Sequence, residues 1–335
     1  MPYIAFEEAL RVTRSALLRA GFTPDKAERL SGVFCQNTLE GVASHGLNRF
    51  ARFVKEAVTG VVDVNAEPET VAALGGMEVW DGHFGPGPLI AESAMDRAIE
   101  LARTHGIACV TVRNSNHWQR AGRYGWQAVR AGMIGMLWTN TCRNLPAWGA
   151  VDARLGNNPF VLAIPREKGA VVVDMSMSQY AYGRLEIARQ NGEKLPTPGG
   201  FDREGNLTDD PCAILESRRP LPIGYWKGAA MSLALDMIAA GTSLGRTVNM
   251  IGPAGEEKGL SQVFIAMNYA GLVGQHEAQQ RFDDAVEGML ASTPADPEKP
   301  VRFPGGNIHK TVEKQLKNGM YVNEKTWNAI MELAQ

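Results

Sequence analysis

The stretch Ile107-Ala108-Cys109-Val110-Thr111-Val112 indicates the fold class of this 335-residue chain. It is a continuous apolar run of strand length, which predicts a buried β-strand. A helical pattern follows over residues 119–131, and a second apolar run at 133–139 predicts another strand. Strand, helix and strand joined by short connections are typical of an α/β sheet that contains parallel pairs and is covered by helices.

The same pattern extends on both sides of this unit. Upstream, apolar pieces at 71–74 and 77–80 flank Gly75-Gly76 and predict a hairpin, and residues 89–105 predict an amphipathic helix. Downstream, further strands are predicted at 160–164, 170–174 and 261–267. Helices are predicted at 178–190, 227–240, 276–291, 309–318 and 324–334, and residues 191–222 are predicted to form a long surface excursion.

The first 60 residues predict helices only, over 6–20, 23–43 and 47–59. Thr23 can cap the second helix, Pro24 suits its first position, and Asp25 complements the positive end of the helix dipole. Gly46 predicts a break before the third helix. We therefore predict a helical region of residues 1–70 with about 295–335, and a mixed-sheet region of residues 71–294.

Composition excludes several functional classes. The net charge is −2 and the basic residues are scattered, so nucleic acid is not expected as a partner. No apolar run reaches the roughly 18–20 residues of a membrane span, and no signal-peptide pattern opens the chain, so we expect a cytoplasmic protein that does not enter a membrane. The four cysteines are far apart, which argues against disulfides and against a metal site.

The common nucleotide and hydrolase motifs are missing. The sequence contains no G-x-G-x-x-G after a strand, no G-x-x-x-x-G-K-[ST], no H-E-x-x-H and no G-x-S-x-G. A Rossmann cradle, a P-loop, a zinc protease and an α/β-hydrolase are therefore not predicted.

The stretch Ser44-His45-Gly46-Leu47-Asn48-Arg49-Phe50 is the first candidate site. His45 and Arg49 are four residues apart and share a face if the backbone stays near helical. Arginine binds a carboxylate with two parallel hydrogen bonds, and imidazole titrates near neutrality. The pair suits a small carboxylate substrate whose neighbouring carbonyl is protonated; the alternative is a half-buried histidine near a helix end with a solvated arginine.

Further polar groups follow the predicted strands, where sheets with parallel pairs place their binding crevices. They include Asn116 and His117, Thr139, Asn157, and Asp174 at the tip of a buried strand. Lys227 opens an apolar helix whose free N–H groups could bind phosphate. The alternatives are polar turns, a helix-capping carboxylate and a surface lysine beside a core tryptophan.

Several of these motifs occur together in one known family. Ser44-His45-Gly46-x-Asn48-Arg49-Phe50, Asn116-His117-Trp118, Gly156-Asn157-Asn158-Pro159, Val173-Asp174-Met175-Ser176 and Tyr225-Trp226-Lys227-Gly228 resemble the type-2 malate/L-lactate dehydrogenase family. Its members are NAD(P)H-dependent 2-oxoacid reductases that lack a Rossmann fold. The resemblance covers essentially the whole chain and implies a mixed sheet flanked by helices, with a helical N-terminal region.

The resemblance also implies roles for individual residues. His45 matches the proton donor, and we expect Asp174 and Ser44 to support its positive form because a nearby carboxylate raises a histidine pKa. Substrate-facing positions are Arg49, Asn116, His117, Thr139 and Asn157. Cofactor-binding positions are Ala170, Val171, Val172, Val173, Asp174, Met175, Ser176, Trp226, Lys227, Gly305, Gly306 and Asn307.

The implied reaction is hydride transfer from NADH, with NADPH possible as the cofactor, to the ketone of a keto sugar acid. The alternatives are a simpler 2-oxoacid or a cyclic imino acid as substrate, or a ligand-binding protein that has lost the chemistry. Asn157 stands where the family usually has threonine, and Gly306-Asn307 replaces a His-Glu pair, so substrate and cofactor preference are open. Resemblance further implies a homodimer with the helical region at the subunit interface.

Overall fold

The computed structural model describes residues 3–253 and 257–335. Its helices are α1 Phe6–Arg19, α2 Pro24–Leu39, α3 Leu47–Val58, α4 Gly87–His105, α5 Gly122–Arg130, α6 Tyr182–Asn191, α7 Pro211–Ser217, α8 Trp226–Ser243, α9 Val248–Ile251, α10 Tyr269–Val273, α11 Gln275–Leu290, α12 Ile308–Asn318 and α13 Glu324–Ala334. Its strands are β1 Tyr3–Ile4, β2 Glu69–Leu74, β3 Met77–Asp81, β4 Ile107–Asn116, β5 Ile134–Thr139, β6 Leu145–Pro146, β7 Ala153–Leu155, β8 Phe160–Ile164, β9 Val171–Met175, β10 Gly200–Phe201, β11 Leu207–Thr208, β12 Lys258–Met267 and β13 Met320–Tyr321.

A seven-stranded mixed sheet forms the centre of the molecule, in the order β2-β3-β4-β12-β5-β8-β9. Only β3 and β4 pair in parallel; the other neighbours in this sheet are antiparallel. Strands β4 and β5 run in the same direction, as the strand-helix-strand pattern predicts, but β12 lies between them. The predicted α/β class with a mixed, non-Rossmann sheet is confirmed.

Helices cover both faces of this sheet because its central strands are apolar on both sides. Along β12, Phe264 belongs to the core under α4 and α5, whereas its neighbour Val263 packs with Leu235 of α8. Successive side chains of a strand point to opposite faces, so adjacent residues of β12 serve separate cores. The central position of β12 explains why its apolar run is continuous rather than alternating.

A third core joins the two ends of the chain. Phe34 of α2 packs against Phe50 and Phe53 of α3, with ring centroids 5.2 Å apart in each pair, and Trp327 and Ile330 of α13 belong to the same cluster. Strand β1 pairs with β13. The predicted helices of residues 1–60 and of the C-terminus are therefore neighbours, while the boundary at residues 70 and 295 stays a prediction.

Two predicted boundaries need correction. Helix α2 begins at Pro24, with the Thr23 hydroxyl accepting the Lys26 N–H, but it ends at Leu39 rather than 43. Strand β4 continues to Asn116 instead of ending at 112, because Lys258 and the β12 residues after it pair with its polar half. A strand that runs this far carries its polar residues into the centre of the molecule.

The predicted surface excursion at 191–222 has structure of its own. It contains the β10–β11 hairpin and α7, and Ile214 and Leu195 pack with Leu185 of α6 in a small cluster. Across residues 3–253 and 257–335, no helix combines the length and the apolar character needed to cross a bilayer.

Candidate active site

A short turn between α2 and α3 positions His45. Residues Ala43–His45 form one turn of 3-10 helix, and the Asn37 amide on α2 donates to the His45 carbonyl at 2.9 Å. The Thr38 hydroxyl accepts the Leu47 N–H at 2.8 Å, which satisfies one of the free N–H groups at the start of α3. Gly46 passes so close to α2 that a Cβ would lie 2.1 Å from Thr38 Oγ1, so no side chain fits there.

The His45 ring is oriented by two neighbours. Its Nδ1 lies 3.1 Å from Ser44 Oγ, and the ring stacks on His117 with centroids 5.7 Å apart and planes 11° from parallel. His117 accepts the Gln119 N–H through Nδ1, so the proton of its neutral ring is on Nε2. The Ser44 contact leaves Nε2 of His45 as the atom that can exchange a proton with a ligand.

Two arginines and one glutamate act on the charge of His45. Burial lowers the pKa of His45 to about 4; the positive charges of Arg49 and Arg120 lower it as well, and Glu257 raises it. Asp174 instead accepts the Gly122 N–H at 2.8 Å and lies 4.0 Å from Arg120 Nε. The charges that act on His45 are thus Arg49, Arg120 and Glu257, and the supporting role of Asp174 stays a prediction.

Arg49 is held by a carboxylate that the sequence did not indicate. Its Nη2 donates to Glu257 Oε2 at 2.6 Å, and the two side chains are 20% and 13% exposed. Arg52 Nη2 lies 3.7 Å from the same oxygen. Although the backbone is not continuously helical across Gly46, Arg49 still acts on His45, as the pKa of the histidine shows.

Two predicted substrate contacts are engaged elsewhere. Asn116 is 3% exposed, and its amide nitrogen donates to the backbone carbonyls of Val61, Phe84 and Gly85 at 3.3, 2.7 and 3.0 Å. The buried Thr139 hydroxyl donates to the backbone carbonyl of Asn140 at 2.9 Å. Both donors thus satisfy buried backbone carbonyls, whereas the buried Asn116 Oδ1 has no partner in the described residues, and the two substrate contacts stay predictions.

Asn157 belongs to a polar cluster beside Glu257. Its Oδ1 accepts the Asn144 amide at 3.0 Å, and its own N–H donates to Asn144 Oδ1 at 2.7 Å. Asn144 Nδ2 lies 3.9 Å from Cys142 Sγ, which lies 3.9 Å from Glu257 Oε1. The Asn157 amide nitrogen has no partner within the described ranges, so the predicted substrate contact stays a prediction that this geometry permits.

Arg120 links the remaining charged groups. It pairs with Glu40 at the end of α2 and approaches Asp174 at the end of β9. Desolvation raises the pKa of Asp174, and the Gly122 N–H and Arg120 oppose that shift. Arg120 and Glu40 were missed from the sequence because 80 positions separate them.

The predicted cofactor segments meet along β9, the edge strand of the sheet. The Pro304 carbonyl accepts the Val172 N–H at 3.1 Å, and the Ile223 N–H donates to the Met177 carbonyl at 2.9 Å just beyond β9. These bonds bring residues 303–307 and 222–227 to either end of the strand. A Cβ on Gly305, whose φ is +92°, would lie 3.0 Å from the Ala170 carbonyl oxygen.

The groups at these segments suit a dinucleotide. Helices α8 and α12 begin there without a side-chain cap at Tyr225 or Asn307. The Lys227 and Gly228 N–H groups of α8 donate to the Gly224 and Ile223 carbonyls at 3.2 and 2.9 Å, so the start of α12 is the better candidate for a phosphate. Lys227 and Trp226 are exposed beside them, a cation and a flat apolar ring. Asn307 also lines a groove of about 720 Å³ between α12 and the turn before His45, with Ala43, Lys310 and Lys314.

Comparison with known proteins agrees with this architecture. The malate/L-lactate dehydrogenase family model matches residues 4–331. A 2,3-diketo-L-gulonate reductase of Shigella boydii is 40% identical over 331 residues, 98% of this chain and 99% of that protein, and the reductase of that name from Escherichia coli K12 is equally similar. The sulfolactate dehydrogenase of Methanocaldococcus jannaschii superposes with a TM-score of 0.90 at 26% identity, covering 99% of this chain and 96% of its own.

These matches span the helical region, the mixed sheet and the His45 turn together. They confirm the resemblance inferred from the sequence, and they make the chain an oxidoreductase acting on a CH–OH or C=O group. The chain belongs to the malate/L-lactate dehydrogenase family.

Proposed function

We propose that this protein is an NADH-dependent reductase of a 2,3-diketo sugar acid, converting 2,3-diketo-L-gulonate to a 3-keto-gulonate. The observation that carries the proposal is the placement of the His45 ring beside the Arg49 guanidinium, with Ser44 and His117 fixing the ring. The substrate follows from the relatives that share 40% of their residues with the whole chain. NADPH is the alternative cofactor.

Arg49 binds the substrate carboxylate in this mechanism. Guanidinium and carboxylate match in shape and charge, and the pair fixes the distance from the carboxylate to the adjacent ketone. Asn157, whose amide nitrogen has no partner among the described residues, would donate to a hydroxyl of the sugar chain. A reduced nicotinamide, when bound, supplies the hydride.

His45 delivers a proton to the ketone oxygen. Binding of the substrate carboxylate allows His45 to take up that proton. In the free protein a pKa of about 4 leaves His45 neutral at pH 7. A substrate carboxylate on Arg49 offsets the positive charge that disfavours protonation, so the pKa of His45 rises in the complex. Ser44 then accepts the Nδ1–H, and Nε2–H points to the substrate.

The cofactor is proposed to lie along β9, held by residues 170–176, Trp226, Lys227 and residues 305–307. The Lys227 ammonium and the start of α12, which has no side-chain cap, would bind its phosphates. Gly305 lets the chain pass close to Ala170 without a side chain in between. Since reduced nicotinamide cofactors are regenerated in the cytoplasm, we propose that compartment.

We also propose a homodimer. Helix α8 is apolar on its outer face as well as on the face that packs on the sheet, and a helix that is apolar all round is normally buried. The exposed apolar side chains on and just after α8 are Trp226, Met231, Leu233, Met237, Ile238 and Leu244. The sequence placed the interface on the helical region, whereas this surface favours α8 as its centre.

A substrate panel tests the proposal. NADH oxidation is followed with diketogulonate, pyruvate, oxaloacetate and a cyclic imine at constant enzyme, then repeated with NADPH. His45→Ala should lower turnover by about 10²–10⁴, the usual contribution of a general acid, while NADH binding stays unchanged. Faster reduction of another compound in the panel would replace the substrate, and absence of NADH binding in a calorimeter would point to a protein without this chemistry.

A further inference from the structure

We propose that Glu257 is a positioning residue of this active site: it holds Arg49 in place and supplies the negative charge that lets His45 take up its proton. The inference rests on the proposed function, in which Arg49 binds the substrate carboxylate and His45 donates the proton. It assigns to Glu257 the supporting role that the sequence pattern had suggested for Asp174.

The contact between Glu257 and Arg49 is end-on. Glu257 Oε2 binds one guanidinium nitrogen, Nη2, at 2.6 Å, while Oε1 faces Cys142 Sγ at 3.9 Å. The other N–H groups of Arg49 have no acceptor in the described part of the chain. An arginine fixed by one nitrogen keeps another edge for a carboxylate, so Glu257 can stay in place when the substrate binds.

The charge pattern makes Glu257 the partner that matters for His45. Two arginines near the His45 ring, Arg49 and Arg52, lie on α3. Arg120 and His117 approach the ring from the segment between β4 and α5. Glu257 approaches it from just before β12. Arg52 is bonded to Glu56 at 2.7 Å and Arg120 to Glu40. Glu257 is the carboxylate bonded to Arg49, so its removal exposes one extra positive charge beside His45.

The position of Glu257 explains how His45, beside the charges of Arg49 and Arg120, can work as an acid. Burial and the guanidinium groups disfavour the imidazolium, and Glu257 is the group that opposes them. The Arg49–Glu257 pair is largely shielded from solvent, so its charges are screened less than those of a surface pair. A neutral residue at 257 should therefore weaken proton uptake without removing any group that touches the substrate.

Three variants separate charge from shape. Glu257→Gln keeps an oxygen that can accept from Arg49 and removes the charge; Glu257→Asp keeps the charge on a shorter stem. Glu56→Gln is the matched control, since it removes a carboxylate from the same arginine cluster without touching Arg49. The measurement is kcat for oxoacid reduction at saturating substrate from pH 5 to 8, with KM for NADH and the thermal midpoint recorded for each variant.

For Glu257→Gln we expect kcat to begin to fall at a lower pH than in wild type, so that kcat at pH 8 is about three- to tenfold lower and the loss shrinks as the pH falls. Glu257→Asp should stay within twofold of wild type, and Glu56→Gln should show no pH-dependent loss. A loss in Glu257→Gln that is constant across pH, no loss at all, or an equal effect of Glu56→Gln would overturn the proposal. If wild-type protein reduces no oxoacid, the proposed function fails first; if it does and Glu257→Gln behaves like wild type, only this inference fails.

Discussion

Replacing Gly46 with alanine should move His45 and cost the protein both stability and activity. The added Cβ would lie 2.1 Å from Thr38 Oγ1, 2.8 Å from Thr38 N and 2.9 Å from Phe34 O. Rotation of the threonine could relieve the first contact, but the other two involve the backbone of α2. The His45 turn must therefore shift away from the helix.

The expected cost combines overpacking with a lost hydrogen bond. Overpacking typically costs about 1–3 kcal/mol, and losing the Leu47 N–H to Thr38 bond adds about 1 kcal/mol. A chain of 335 residues has an unfolding entropy of about 0.7 kcal/mol/K at ~2.1 cal/mol/K per residue. A loss of about 2–4 kcal/mol should therefore lower Tm by roughly 3–6 °C.

Activity should fall further than stability suggests, because a displacement of about 1 Å at a reacting group can cost roughly 100-fold in rate. Gly32→Ala on the same helix is the control, since its Cβ would meet no atom within 4 Å and alanine favours a helix. Calorimetric Tm and kcat are measured for both variants. If Gly46→Ala matches Gly32→Ala in both, the close approach of the His45 turn to α2 does not position the histidine.

Three further predictions test the charges, the interface and the buried amide. With a pKa near 4 for His45 in the free protein, kcat/KM for reduction should fall about tenfold for each pH unit from pH 5 to 8. The turnover number kcat should begin to fall only at higher pH, because the bound substrate carboxylate raises the pKa of His45. Met237→Glu, on a side chain that is 63% exposed, should yield monomers in the ultracentrifuge with little change in monomer unfolding, and an unchanged dimer would remove α8 from the interface. Asn116→Ala should destabilise the protein by about 1–3 kcal/mol for each buried carbonyl left unsatisfied, as urea unfolding would show; a normal stability with a raised substrate KM would restore its predicted substrate contact.

The sequence predicts individual elements well where local chemistry decides them. Thr23, Pro24 and Asp25 mark the start of α2 because capping acts within one turn. The end of β4 could not be predicted in the same way. The chain remains extended to Asn116 because β12, more than 140 positions away, pairs with this part of β4. The hydrophobic pattern around residue 116 does not indicate such a distant partner.

The candidate site shows the same division. His45 and Arg49 stand four residues apart, so their cooperation is visible in the sequence. Glu257 is 208 positions from Arg49, and a glutamate before an apolar strand looks like an ordinary surface residue. The general rule that a nearby carboxylate raises a histidine pKa suggested Asp174 instead, and the structure places Arg120 beside that carboxylate.

The buried amide of Asn116 explains how the two halves of the site stay in register. His45 and Arg49 lie on the turn before α3 and on α3 of the helical region, whereas His117 and Glu257 adjoin β4 and β12 of the sheet. Asn116 sits at the end of β4 and donates to carbonyls on both sides of the gap, Val61 after α3 and Phe84 after β3. The Asn116 amide thus fixes the spacing of His45 and His117. Its removal in Asn116→Ala should disturb proton transfer by changing that spacing rather than by weakening substrate binding.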